Sequence, residues 1–358
     1  MLTHQSNYTK LHIGPIGKSE LGQVIQNYSK QNIIVIVDEN SHDECLSYLI
    51  ENFPILEKSE IVLLPNGEEN KVMEVCFQVW ESFTEHNYGR SDLVINLGGG
   101  VVTDMGGFIA SIFKRGMNFI NIPTSLLGMV DAAIGGKNGI DLNQYKNQLG
   151  TFVHPLHVFI DTEFLQTLPG EEIFNGYAEM LKHALIKDKS LWNKLKEIHN
   201  EDELIKEEII YQSVMIKNFI IEEDPHEGGL RKILNFGHTV GHALESYFMT
   251  SSPISHGHAV ALGMCAEAYI SWQRGHLEQD DFKEVENTIT RSFPMINLSP
   301  TNIEEIIKLM YQDKKNSEGK ILCTLLLGIG NSIYNVAINE EEIGNSLFHL
   351  TLLSKINN

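Results

Sequence analysis

Cysteine is scarce in this chain. Four residues, Cys45, Cys76, Cys265 and Cys323, are spread over 358 positions, and no two form a Cys-x-x-Cys pair. That argues against a disulfide framework. Each lies among apolar neighbours, as reduced and buried thiols do, which points to a reducing compartment. Long apolar runs are missing too: no stretch of about 18 such residues occurs, so no transmembrane helix is expected. The opening MLTHQSNYTKLHIG has no apolar core of the secretory-signal kind. Basic charge is the third shortage. Lys and Arg number 27 against 47 Asp and Glu, a formal net charge of −20. Such a balance argues against nucleic acid and against an anionic membrane as partners. It does not preclude a small basic cleft for an anionic ligand. A cytoplasmic protein is expected.

What is present falls into two halves. The length suits two domains at about 100–200 residues each. Short β-branched apolar runs, NIIVIVDEN (32–40), SEIVLLPNG (59–67), SDLVINLGGG (91–100), NFINIPTS (118–125) and LHVFIDT (156–162), alternate with helix-like segments such as 43–52 and 71–86. Near-continuous apolar strands separated by helices predict a parallel, Rossmann-like sheet covered on both faces. Beyond about residue 165 the period becomes helical, with segments at 175–188, 202–222, 238–249, 258–275, 281–291 and 302–312. Only GKILCTLLLGIG (319–330) reads as a strand there. The expectation is an α/β domain over 1–165 and a mostly α-helical domain over 166–358. No internal repeat or low-complexity stretch occurs.

Three groups of residues carry chemical signals. A strand runs into Gly98, Gly99 and Gly100 and then into a helix, with Asp104 in its first turn. Such a turn brings backbone N–H groups close to a phosphate, although it is not G-x-G-x-x-G and serves equally as a tight strand–helix connection. Asp38, at the end of an earlier strand, is placed to bind a ribose hydroxyl or simply to end a loop. In LNFGHTVGHALE, His238 and His242 stand four apart on one helix face, and His256 and His258 flank a glycine further on. Imidazoles in this number, with a carboxylate such as Glu179, suit a zinc site with an open position. A packed pair of histidines and an exposed Glu179–Lys182 pair are the alternatives. Finally, Asp131, Lys137, Lys146 and Asn147 share a glycine-rich segment, Arg231 and Asn235 precede His238, and Lys217 lies upstream. Cations interleaved with asparagines suit phosphate or carboxylate recognition.

Taken together and in order, GGGVVTDMGGF, KRG, IPTSLLGMVDAAIGGKNGID, KNQLGTF, GYAEMLKHALI, EGGLRKILNFGHTVGHALE, HGHAVALGM and DKKNSEGKI resemble the 3-dehydroquinate synthase family. The likeness runs from about residue 33 to 330. It implies metal ligands Glu179, His238 and His256, for Zn2+ or Co2+, and an acid/base role for His242. It implies catalytic parts for Lys182, Asp131 and Asn235. NAD would lie over Gly98, Gly99 and Gly100 with Asp104, Thr124 and Ser125, in a pocket completed by Asp38, Asn40, Glu68, Lys71, Phe164, Thr167, Leu168 and Glu172. The sugar-phosphate substrate would meet Lys137, Lys146, Asn147, Lys217, Arg231 and Lys315, with Arg115 reaching the phosphate of a neighbouring subunit in a homodimer. His258 stands where the family usually has Glu, Thr103 where Gly is frequent, Ser125 where Thr is frequent, and DAAIGG where DSSVGG is common.

The implied reaction converts 3-deoxy-D-arabino-heptulosonate 7-phosphate to 3-dehydroquinate and phosphate. It proceeds by transient oxidation with NAD, phosphate elimination, re-reduction and intramolecular aldol closure. Three rivals share some features: a glycerol dehydrogenase-type alcohol dehydrogenase, another sugar-phosphate cyclase, and a catalytically silent metabolite-binding protein. A simple polyol leaves Lys137, Lys146, Asn147, Lys217 and Arg231 without a purpose, and a substrate lacking a carboxylate leaves Lys217 and Arg231 without one.

Overall fold

The structure is a computed structural model that describes residues 1–28, 32–143, 145–249, 252–312 and 320–356. By its contacts the chain divides into two compact units, Met1–Ile173 with Ile205–Val214, and Phe174–Leu204 with Met215–Asn358.

The first unit is built on β1 (Leu2–Gln5), β2 (Lys10–Ile13), β3 (Ile33–Asp38), β4 (Glu60–Leu64), β5 (Leu93–Gly98), β6 (Asn118–Pro123) and β9 (His157–Ile160). These form one sheet in the order β1-β2-β9-β6-β5-β3-β4. All neighbours are parallel except β1 and β2. Every residue of β5 is buried. So is the centre of β3, where Ile34, Val35, Ile36 and Val37 are fully enclosed. A sheet covered on both faces needs such continuous apolar strands. The helix Gly100–Ile112 supplies part of the cover, with Val102, Met105 and Ile109 buried in one core with Ile34, Ile36, Val94 and Phe119.

The strand order places β5 beside β3, while the next strands, β6 and β4, lie on opposite sides. Ile36 pairs with Asn96, so β3 and β5 end side by side. A doubly wound sheet opens a crevice at the carboxyl ends of two such strands. The strand readings at 32–40, 59–67, 91–100, 118–125 and 156–162 each contain one of these strands. The short N-terminal hairpin of β1 and β2, and the hairpin of β7 (Lys137–Leu142) and β8 (Tyr145–Phe152), had no such signal. The latter is rich in Gly and Asn rather than in β-branched residues.

The second unit is mainly helical: Phe174–Lys187 of the helix Gly170–Lys187, then Lys189–Leu195, Met215–Glu223 of the helix Glu207–Glu223, His238–Phe248, His256–Gln273, Gln279–Ser292, Pro300–Gln312 and Glu340–Ile356. The helix His256–Gln273 lies at its centre: Ala259 through Ala268 are all buried. A helix apolar on every side is one surrounded by protein. The strand reading at 319–330 holds β10 (Ile321–Leu326), which pairs antiparallel with β11 (Ser332–Ile338). That partner, and the final helix, went unread. β11 alternates half-buried and exposed residues along SIYNVAI, with only Ile338 buried, the pattern of an outer strand. The helical segments read at 43–52 and 202–222 are each broken, at Cys45 and between Leu204 and Glu207. No helix among the described residues is long and apolar enough to cross a membrane. All four cysteines are buried and free.

Candidate active site

The helix Gly170–Lys187 carries Glu179 into the interior, where its side chain has no exposure and Oε1 has no hydrogen-bond partner. A buried carboxylate without compensation costs several kcal/mol. Part of the compensation comes one turn on, where the Lys182 ammonium, also buried, forms an ion pair with Glu179 Oε2. The alternative of an exposed Glu179–Lys182 pair is therefore ruled out: the pair is inside. Glu179 Oε1 faces two imidazoles: His238 Nε2 lies 3.6 Å away and His256 Nε2 3.9 Å away. Those separations are too long for hydrogen bonds. They are close to the spacing of donors about 2.0–2.2 Å from a common tetrahedral centre, which stand about 3.4 Å apart.

The other ring nitrogens support the same orientation. His238 Nδ1 lies 3.2 Å from the Phe236 carbonyl and His256 Nδ1 lies 3.4 Å from Glu245 Oε2. An Nδ1–H donated to an oxygen leaves Nε2 with its lone pair, and such partners hold metal-binding imidazoles in place. Two imidazoles and one carboxylate are a catalytic zinc donor set. The buried carboxylate and the outward-turned Nε2 atoms thus fit a divalent metal.

His242 completes the cluster without joining the set around Glu179. Its ring centroid is 5.1 Å from that of His238 and 6.0 Å from that of His256. His258 is turned elsewhere, its Nε2 2.7 Å from the Pro294 carbonyl, so of the two flanking histidines only His256 faces Glu179. Burial lowers the His258 pKa, and the Pro294 carbonyl acts against that shift.

The cations of this unit are ordered rather than loose. Lys217 and Arg231 are both buried. Arg231 Nη1 donates to the Pro225 carbonyl at 2.7 Å, and Asn235 Nδ2 donates to Glu227 Oε1 at 2.7 Å. The preceding loop is folded on Asp224, whose carboxylate accepts from the N–H groups of Gly228, Gly229 and Arg231 at 2.9, 2.7 and 3.0 Å. Burial acts to raise the Asp224 pKa, but the N–H donors of Gly229, Arg231 and Gly228 outweigh it and hold the carboxyl below its ordinary value.

In the first unit the three glycines form the predicted turn: β5 ends at Gly98, Gly99 caps the helix, and Gly100 begins it. The Thr124 N–H donates to the Gly98 carbonyl at 3.0 Å, so the ends of β5 and β6 are tied together. A Cβ on Gly98 would come within 2.5 Å of the Val102 side chain, which keeps the turn bare of side chains. Ser125 Oγ accepts from the Gly128 N–H at 3.1 Å. Asp131 follows on a single π-helical turn, Gly128–Ala132, a geometry frequent at functional sites.

Lys71 ties the proposed cofactor and substrate residues of this unit. Its Nζ donates to Asp104 Oδ2 at 2.6 Å and to Asn147 Oδ1 at 2.8 Å. Glu68 Oε1 lies 3.9 Å from Lys71 Nζ and 3.6 Å from Lys146 Nζ. Burial pulls the Lys71 pKa down, but Asp104 and Glu68 outweigh it and hold the ammonium above its ordinary range. Asp38 caps the helix Glu39–Glu44, its Oδ1 accepting from the Ser41 N–H at 2.7 Å, and Asn40 is exposed beside it. Phe164 is buried edge-on to Tyr48; Thr167 is exposed, while Leu168 and Glu172 are half-buried. Lys137 is exposed at the start of β7. Arg115 is exposed in a turn where it and Lys114 have φ of 70° and 48°. Lys315 lies outside the described residues.

Several supporting residues escaped the sequence. Asn96 and Asn121 pair side by side on β5 and β6, Asn96 Nδ2 donating to Asn121 Oδ1 at 2.8 Å. Asn121 Nδ2 in turn donates to the Ala133 carbonyl at 3.2 Å, anchoring the turn that carries Asp131. An asparagine in the middle of each of two apolar strands was the available signal, because a buried amide needs a partner. Asp224 and Glu245 gave none, being acidic residues in an acidic chain.

A family model described as 3-dehydroquinate synthase N-terminal matches residues 61–175, and one described as 3-dehydroquinate synthase C-terminal matches residues 176–316. The 3-dehydroquinate synthase of Parabacteroides distasonis is 40% identical over 333 residues, which cover 92% of this chain and 94% of that protein. Among solved structures, a 2-deoxy-scyllo-inosose synthase complexed with carbaglucose-6-phosphate, NAD+ and Co2+ superposes with a TM-score of 0.82 at 24% identity, covering 97% of this chain and 99% of that one. The 2-epi-5-epi-valiolone synthase of Streptomyces hygroscopicus, with NAD+ and Zn2+ bound, superposes with a TM-score of 0.79 at 25% identity over 98% and 99% of the two chains.

Proposed function

This chain belongs to the 3-dehydroquinate synthase family, and from that premise we propose how its own residues carry the reaction. The enzyme converts 3-deoxy-D-arabino-heptulosonate 7-phosphate to 3-dehydroquinate and phosphate. The observation that carries the reading is the convergence of His238 and His256 on the buried Glu179, with His242 beside them. Glu179, His238 and His256 would hold Zn2+ or Co2+, which would supply a Lewis acid for a substrate hydroxyl. NAD supplies a reversible hydride acceptor over the Gly98–Gly100 turn.

The protein's own groups do the remaining work. His242 takes the proton of the substrate hydroxyl at a ring nitrogen and holds it for return. Lys182 offsets the Glu179 charge and leaves an ammonium at the reacting end of the substrate. Lys217 and Arg231, buried and already oriented, bind the substrate's anionic groups with little further ordering. Asn235, Asp131, Lys137, Lys146 and Asn147 fix its hydroxyl and phosphate oxygens. The Lys71 network, which joins Asp104 to Asn147, supports a common placement of cofactor and substrate residues. Lys315 is assigned to the substrate on motif alone. The reading includes a cytoplasmic homodimer, in which Arg115 serves the neighbouring subunit's phosphate. Its support is the exposed, left-handed turn that presents Arg115 and the four free, buried thiols.

The test is phosphate release from 3-deoxy-D-arabino-heptulosonate 7-phosphate in the presence of NAD and zinc, with the carbon product trapped by a dehydratase. Equal amounts of phosphate and dehydroquinate, with no accumulating NADH, are expected. Net NADH formation from a simple polyol would instead establish an alcohol dehydrogenase.

A further inference from the structure

The helix that carries His238 and His242 begins without a capping side chain. Its N-cap is Gly237, in the left-handed region at φ 78°. Helices usually start on Ser, Thr, Asp or Asn, whose side chain accepts from the first free N–H groups. Here a side chain has no room: a Cβ on Gly237 would lie 2.5 Å from Met264 Cγ and 2.8 Å from the Val260 carbonyl oxygen. Close contact with the helix His256–Gln273 therefore removes the usual cap.

That neighbouring helix supplies the replacement. Glu267 has no exposure, and its carboxylate accepts from the Gly237 N–H at 2.7 Å through Oε2 and from the Val240 N–H at 3.3 Å through Oε1. Val240 is the third helical residue, the one a capping side chain ordinarily serves. The two N–H groups bracket His238. A carboxylate at a helix N-terminus also meets the positive end of the helix dipole. The donor helix is the one that begins with His256, so a single side chain couples the elements carrying two of the three proposed ligands.

We propose that Glu267 is a positioning residue for the metal centre. By capping the helix His238–Phe248 from its neighbour, it sets the direction in which His238 and His242 leave the backbone. The proposal rests on the reading of Glu179, His238 and His256 as the metal set. Partners one step removed from a metal commonly change its affinity by about 10- to 100-fold. An effect of that size is expected here, because the ligand's whole helix start is released.

The experiment uses the full chain and its Glu267→Gln and Glu267→Ala variants, with His238→Ala as control. Zn2+ affinity is read by competition with a chromophoric chelator, and ligand geometry by the visible spectrum of bound Co2+. The Gln variant keeps the shape but replaces one acceptor oxygen by an amide donor. It is expected to bind Zn2+ about 10- to 100-fold more weakly, with altered Co2+ bands. Unchanged affinity and spectrum in the Gln variant overturn the proposal, whatever its melting temperature. Should neither variant fold, amide exchange in the unsubstituted chain decides. Gly237 and Val240 amides that exchange slowly, and more slowly still with Zn2+, support the cap; exchange as fast as an open helix start refutes it. Unweakened Zn2+ binding by His238→Ala would instead refute the metal-set reading itself.

Discussion

His238 and His242 share one helix face, yet their surroundings differ. His238 meets Glu179 and the Phe236 carbonyl, whereas His242 stands beside both proposed imidazole ligands outside the set around Glu179. Spacing put them on one face; the approach of Glu179 distinguishes their surroundings. His238→Ala is expected to abolish stoichiometric Zn2+ binding, measured by metal analysis after dialysis. His258→Ala is expected to retain it, since His258 bonds the Pro294 carbonyl. Glu245, 3.4 Å from His256 Nδ1, stands behind a proposed ligand without joining the Glu179 set. Glu245→Gln should weaken Zn2+ binding by at least about 10-fold, read by chelator competition. These supporting acids were not legible in the sequence, because nothing in a run such as HALE or CAEA says which imidazole or N–H a carboxylate will reach.

At the scale of elements, apolar period identified most strands and helices. It failed where pairing rather than hydrophobicity decides, in the glycine-rich β7–β8 hairpin and in β11. The helices His238–Phe248 and His256–Gln273 approach each other through glycines. A Cβ on Gly263 would lie 2.7 Å from the Gly241 N, and closer still to the Gly237 carbonyl. Gly263→Ala is expected to destabilise the protein by about 1–3 kcal/mol through overpacking, measured by urea unfolding. On β2, His12 is enclosed, with its Nε2 3.1 Å from His157 Nδ1 on β9. Burial first, and His157 second, lower its pKa from 6.5 to about 4. The folded state thus resists a proton that the unfolded chain accepts, and stability falls as pH drops from 6.5 toward 4. The loss from this group approaches about 3 kcal/mol. In urea melts across that range, His12→Phe should show a shallower dependence on pH by about one proton.

Across the whole molecule, the proposed cofactor residues and the proposed metal ligands separate by unit. Every assigned cofactor residue, from Asp38 to Glu172, belongs to the first unit, and Glu179, His238 and His256 all belong to the second. Metal binding should therefore stabilise the second unit directly. A ligand present at about 100 times its dissociation constant adds about 2.7 kcal/mol to a state that alone binds it. Zn2+ should raise the melting temperature of the unsubstituted chain and leave that of His238→Ala unchanged, as read by calorimetry. The net charge of −20 does not oppose an anionic substrate. What a substrate meets is local, and under the proposed assignment the buried Lys217 and Arg231 set the field there.

The sequence by itself determined the strands β3, β4, β5, β6, β9 and β10, most of the helices, the glycine turn after β5, and the kinds of donor available for a metal and an anion. Those follow from local physics: the period of apolar residues, the freedom of glycine, and the chemistry of each side chain. The tertiary structure decided which donors meet. It turned His256 toward Glu179 and His258 away, buried the Glu179–Lys182 pair, joined Lys71 to Asp104 and Asn147, and brought Glu267 to the start of another helix. Each of the last two brings together residues more than 25 positions apart. Their proximity depends on how the elements pack, which no local pattern encodes.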